Sequence, residues 1–133
     1  MTISIDFDGV IHQYSKGWQN GEIYDPPIKG AARFIYDCMF EKNWSVFILS
    51  TREVHQIEKW CREVLFQKKE LPFEITIIPN DVEKPFWNKK KNLGITNRKL
   101  AAHIYIDDRT FKFEGKFEQS LFKKLECFKT WQE

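Results

Sequence analysis

The chain has 133 residues, 42% hydrophobic and 30% charged, with twelve Phe, five Trp and four Tyr. That length suits one domain with a self-sufficient core and leaves no room for a second folded unit or a sizeable cap; the aromatic content excludes a disordered chain. The formal net charge of +2 conceals an uneven spread: residues 84–99 hold Lys84, Lys89, Lys90, Lys91, Arg98 and Lys99 with no acid, a stretch that attracts anions, nucleic acid included, or forms a solvated face.

Met1 leads directly into a strand-like segment, and no apolar run reaches the ~18 residues of a membrane helix, so neither a signal peptide nor a membrane span is expected. Cys38, Cys61 and Cys127 are odd in number and lack metal-ligand spacing. This argues against a disulfide framework and a zinc ribbon and points to a reducing, cytoplasmic setting.

Residues 3–7 read as a short buried strand ending in acids. A loop follows over 9–27, rich in Gly and closed by Pro26-Pro27. Residues 28–43 carry the helical stripe Ala31, Phe34, Ile35, Cys38 and Met39. Residues 44–49 form a second strand, apolar enough to be covered on both faces. Residues 53–69 are helical, with Val54, Ile57, Cys61, Val64 and Leu65 on one side. Residues 75–78 make a third strand, and the basic stretch includes one short helix weakened by Gly94. Residues 104–107 are a fourth strand, again ending in acids. Phe117, Leu121, Leu125 and Phe128 mark a final helix. Alternating strands and helices predict an α/β fold with a mostly parallel sheet, whose chemistry gathers beyond the carboxyl ends of the strands.

Asp6-Phe7-Asp8-Gly9-Val10 is the sharpest chemical signal. Two carboxylates at a strand end call for a compensating cation or proton, and Mg²⁺ prefers oxygen ligands. A carboxylate there can also act as nucleophile while its neighbour shuttles protons; equally, Asp8-Gly9 suits a simple turn. Ser50-Thr51-Arg52-Glu53 ends the second strand. Its hydroxyl and the following helix N-terminus suit a phosphate oxygen, and Ser50-x-x-Glu53 also has capping-box spacing. Asp107-Asp108 repeats the acid pair at another strand end, and Lys99 lies within reach of the same crevice. His12 lies near this site and suits either catalysis or a loop hydrogen bond, while Trp18 and Tyr24 either contact substrate or pin the loop.

Asp6-x-Asp8-Gly9-Val10, Ser50, Lys99 and Asp107-Asp108, in this order, resemble the four motifs of the haloacid dehalogenase (HAD) superfamily, closest to its small capless phosphatase-like members. The resemblance covers residues 3–109. It implies a three-layer, doubly wound Rossmann-like sheet, with predicted strands in the order 3-2-1-4 and no substantial cap. It also implies a Mg²⁺-dependent phosphomonoester hydrolase working through an aspartyl-phosphate. In that assignment Asp6 is the nucleophile and Asp8 the acid/base; Ser50, Thr51 and Lys99 bind the phosphoryl group, with Lys84 and Lys89 as competitors of Lys99. Asp6, Asp8, Asp107 and Asp108 hold Mg²⁺, Asp8 through its backbone carbonyl. The expected partner is a phosphorylated substrate and no membrane; an open site flanked by cations favours a macromolecule or nucleic-acid end. The alternative is a non-catalytic module of the same fold that binds phosphorylated or nucleic-acid partners.

Overall fold

The computed structural model describes residues 1–81 and 86–133; Lys84 lies outside the described residues. Five parallel strands form one sheet: β1 Thr2–Asp6, β2 Ser45–Leu49, β3 Glu74–Ile77, β4 Asn92–Thr96 and β5 Ile104–Ile106. Their order is β3-β4-β2-β1-β5. The expected order, 3-2-1-4, placed the second and third predicted strands side by side. An additional strand, β4, stands between them instead, in the stretch expected to hold a short helix. The expected neighbours of β1 are retained, with β2 on one side and the acid-bearing β5 on the other.

Register explains why β4 is a strand. Gly94 pairs with Phe47 on β2 and Thr76 on β3, and a Cβ built on it would lie 2.7 Å from Ile78 Cδ1 and 2.9 Å from Trp87 Cε2. The glycine is therefore a packing notch for Trp87. The alternation Leu93/Ile95 faces the main core while Asn92, Gly94 and Thr96 face the other side.

That main core lies on one face of the sheet. Ile3, Ile5, Val46, Ile48, Leu93 and Ile95 meet Ile35, Cys38, Met39, Ile57, Trp60, Cys61 and Leu65. The last seven belong to two helices. One is α1, Ala31–Tyr36, extended by a π-helical turn Asp37–Glu41; the other is α2, Val54–Trp60, extended by a π-helical turn Cys61–Leu65. Both therefore pack on the same face. The second face carries a smaller cluster of Phe47, Ile78, Trp87 and Leu100, covered by the segment around β4 rather than by a helix among the described residues. The expected helix–sheet–helix sandwich is thus helix–sheet–loop here. A third helix, α3, Ser120–Glu126, forms where a final helix was expected and buries none of its residues. Among the described residues no helix is long and apolar enough to cross a membrane.

Overpacking a filled core costs about 1–3 kcal/mol. Gly94→Ala should lose stability in that range, read as a lower urea midpoint with unchanged m-value; an unchanged midpoint would show that Trp87 yields freely.

Candidate active site

β1 and β5 are hydrogen-bonded neighbours with Ile5 opposite Ile106, so Asp6 and the Asp107-Asp108 pair leave the sheet side by side. One carboxylate oxygen from each of Asp6, Asp107 and Asp108 lies within 4.8 Å of the other two. The chain after Asp6 turns tightly: the Phe7 carbonyl accepts from the Ile11 and His12 amides, both at 2.9 Å. Gly9 sits at φ +83°, where side-chain residues are strained, and a Cβ on it would lie 2.3 Å from Asp108 Oδ2. The first acid motif is thereby pressed against the second.

Burial, the charge of Asp107 and that of Asp108 push the Asp6 carboxyl up from 3.8 to about 7. Burial and Asp107 also raise Asp108, whose Oδ1 is buried without a hydrogen-bond partner. An orphaned carboxylate oxygen beside two further carboxylates is a donor set suited to a hard divalent cation such as Mg²⁺. The fit is to Asp6, Asp107 and Asp108. Asp8 was expected as a ligand through its backbone carbonyl; its carboxylate is engaged elsewhere.

Asp8 accepts from Arg52 Nε at 2.7 and 2.9 Å and meets His12 Nδ1 at 2.8 Å. His12 Nε2 accepts from the Asp25 amide at 3.0 Å, so the neutral imidazole carries its proton on Nδ1 and donates it to Asp8. His12 is fully buried, and this loop-fixing role is the one its position suited besides catalysis. Arg52 is 1% exposed. Its Nη1 donates to the Gly21 carbonyl at 2.7 Å, and its guanidinium lies 4.7 Å from the Trp18 ring and 5.8 Å from the Tyr14 ring. Trp18 and Tyr24 pin the loop, Tyr24 through its hydroxyl to Lys16 and Gly17.

Ser50 follows β2, and its Oγ accepts from the Arg52 amide at 3.1 Å. The capping box expected there is absent. α2 is capped by Glu53, whose carboxylate accepts from the His55 and Gln56 amides and is held below its ordinary pKa by them. The cap thus lies three residues beyond Ser50, and the helix begins at Val54. Asn97 Nδ2 bridges the Ser50 and Arg52 carbonyls at 2.6 and 2.7 Å, fixing this turn from β4.

The structure brings Asp6, Asp8, Ser50, Thr51, Lys99, Asp107 and Asp108 to the wall of one cleft of about 370 Å³, with Tyr14, Asn97 and Arg109 beside them. Lys99 Nζ lies 5.0 Å from the Tyr105 ring centroid. Its competitor Lys89 lines a hollow with Glu74 and Asn92, which start β3 and β4, at the opposite end of the sheet. Sequence reading missed Arg52 and Asn97. Arg52 stands next to the Ser50-Thr51 pair that was read, but its partner Asp8 is 44 residues away.

An acid whose pKa rises on folding keeps its proton longer in the folded state. Asp6 therefore favours folding below about pH 4 and loses that contribution as pH rises toward 7. Between pH 5 and 8, metal-free wild type should lose Tm relative to Asp6→Asn, ending several degrees below it, at roughly 2–4 °C per kcal/mol or somewhat more for a chain this size. Added Mg²⁺ should restore the wild type and leave Asp6→Asn unmoved. Parallel Tm–pH curves for the two proteins would overturn the raised Asp6 pKa.

No protein family, curated protein or solved structure matches the chain.

Proposed function

We propose that the protein is a phosphomonoester hydrolase in which Asp6 is the nucleophile, a reading that also rests on the motif resemblance to HAD phosphatases. The observation that carries it is the three-carboxylate cluster at the ends of β1 and β5, which lines one cleft together with Ser50, Thr51 and Lys99. A bare cluster of acids would repel a phosphate. Asp6, Asp107 and Asp108 would hold Mg²⁺, which when bound offsets that charge and stabilises negative charge on phosphoryl oxygens. Lys99 adds a cation on the same wall, and the Ser50 and Thr51 hydroxyls can donate to non-bridging oxygens.

In the first step an Asp6 oxygen bonds to phosphorus as the bond to the leaving oxygen breaks, and Asp8, which takes up a proton from solvent on Oδ2 before the step, passes that proton to the departing alkoxide. In the second, water attacks the phosphorus of the aspartyl-phosphate, gives its proton to Asp8, and the Asp6–phosphorus bond breaks to release inorganic phosphate. Arg52 and His12 fix Asp8 in one orientation for both transfers, since both of its oxygens are engaged.

The test is phosphate release from p-nitrophenyl phosphate, sugar phosphates and end-phosphorylated oligonucleotides with Mg²⁺. Asp6→Asn should lose about three orders of magnitude or more in kcat with its fold intact. Asp8→Asn should slow breakdown of the intermediate more than its formation, seen as a burst. Equal turnover by wild type and Asp6→Asn, or no release from any of these esters, would refute the reading.

A further inference from the structure

The lysines that dominate the basic stretch do not gather at the cleft. Lys89, Lys90 and Lys91 precede β4 and line a hollow of about 710 Å³ with Phe73, Glu74 and Asn92. Lys90 Nζ donates to the carbonyl of Asn43, just ahead of β2, which places the run at the amino-terminal end of the sheet. An adjoining hollow of about 620 Å³ shares Pro72 with the first and adds Lys68, Tyr36 and Phe40. From this geometry we propose that the amino-terminal end of the sheet is a binding surface for single-stranded nucleic acid, separate from the cleft.

Three observations support this occupant. First, the cations are not consumed internally: among the described residues none of Lys68, Lys89, Lys90 and Lys91 forms an ion pair. Of the acids lining the two hollows, Glu74 accepts from Asn92 and Asp37 pairs with Arg33, which leaves Glu41 the one without a side-chain partner among the described residues. Second, the helix dipole does not explain the placement of the run Lys89–Lys91. Lysines after the ends of α1 and α2, such as Lys42 and Lys68, complement helix C-termini, but Lys89–Lys91 follow no helix among the described residues. Third, aromatic rings stand between the charges. Lys91 Nζ lies 5.7 Å from the Phe40 ring and Lys68 Nζ 5.6 Å from the Tyr36 ring. The Tyr36 and Phe40 rings are stacked with centroids 5.9 Å apart, and Phe40 is 38% exposed.

Cations tracking a backbone with rings on which bases stack are the two elements of unpaired-strand binding. A duplex hides its base faces, and an acidic peptide or anionic lipid surface has none, so the rings favour a single strand over these. The surface lies beyond the cleft reading and stands without it, because binding needs neither Asp6 nor turnover.

The test is anisotropy of fluorescein-labelled oligodeoxythymidylate, 20 nucleotides long, titrated with the full chain over a range of KCl. Wild type should bind at low salt with a log–log salt slope of about −2 to −3, as expected for some four phosphate contacts on a single strand. The quadruple variant Lys68→Gln, Lys89→Gln, Lys90→Gln, Lys91→Gln should bind at least about tenfold more weakly with a slope near zero. Should it fail to fold, the pair Lys89→Gln, Lys91→Gln should lose about half the slope. Phe40→Ala should weaken binding about fivefold or more without changing the slope. Asp6→Asn should bind as wild type does, so failure of the hydrolase reading leaves this result untouched. Absence of binding by wild type overturns the proposal. So does equal weakening by Lys112→Gln, Lys116→Gln, Lys123→Gln, Lys124→Gln, which removes the same charge elsewhere, or competition by polyglutamate as strong as by unlabelled oligonucleotide.

Discussion

Bringing carboxylates together at the ends of two neighbouring parallel strands is the constraint around which this structure is arranged. Parallel register, with Ile5 opposite Ile106, leaves Asp6 and Asp107-Asp108 no route away from each other. Like charges this close and partly desolvated cannot all stay ionised without a compensating cation, and the rise of Asp6 to about 7 is the consequence. The same closeness fixes local backbone chemistry. Residue 9 must be glycine both because its φ is +83° and because Asp108 occupies the space of a Cβ. Even the chain end contributes here, with Trp131 Nε1 donating to the Gly9 carbonyl at 2.7 Å.

A second layer of interactions keeps the neighbouring acid from joining that cluster. Arg52 is a buried cation whose ion pair with Asp8 is partly solvated on the Asp8 side, with side-chain exposures of 1% and 19%. A buried guanidinium is tolerable only when its donors are met; Nε and Nη1 are, while Nη2 has no partner. The remainder is offset by the Trp18 and Tyr14 ring faces. Through this one side chain the turn after β2, the 9–27 loop and Asp8 become a single unit. His12 locks the loop from the other side by bridging Asp8 and the Asp25 amide. Asp25 in turn holds Ser15, whose amide and hydroxyl lower its carboxyl pKa.

Much of this arrangement was legible from residue pattern alone. Strands β1, β2 and β5 announce themselves as short apolar runs stopped by polar residues, and the seven residues picked for chemistry all reach one cleft because parallel strands deliver their exits to the same edge. Three features were not legible, for physical reasons. β4 is interrupted by Gly94, a poor strand former whose value appears only when Trp87 and Ile78 are packed against it. The N-cap of α2 is Glu53 rather than Ser50: the capping-box spacing assigns the cap to its first residue, whereas here the third-position acid caps by itself. The Arg52–Asp8 pair is a contact between distant segments, and no periodicity encodes such a partner. The expected second helical layer fails for a related reason, since the segment that would have supplied it is spent on β4.

The separation of charge along the sheet axis follows from the same misread strand. Taken as a helix or loop, the basic stretch could be drawn beside the cleft as a gate for anions. Once β4 is a strand, its two ends are fixed at opposite poles. A strand rises about 3.3 Å per residue, so the five residues of β4 put Lys91 and Asn97 roughly 20 Å apart. Lys99, after the strand, stays with the acids; Lys89–Lys91, before it, cannot. The cleft therefore has few cations of its own, with Lys99 and Arg109 on its wall against Asp6, Asp8, Asp107 and Asp108, and Arg52 already committed to Asp8. At a Debye length of about 8 Å in physiological salt, the distant lysines cannot offset that acidity. Any anion entering the cleft must have the acids balanced locally, whatever the opposite pole binds.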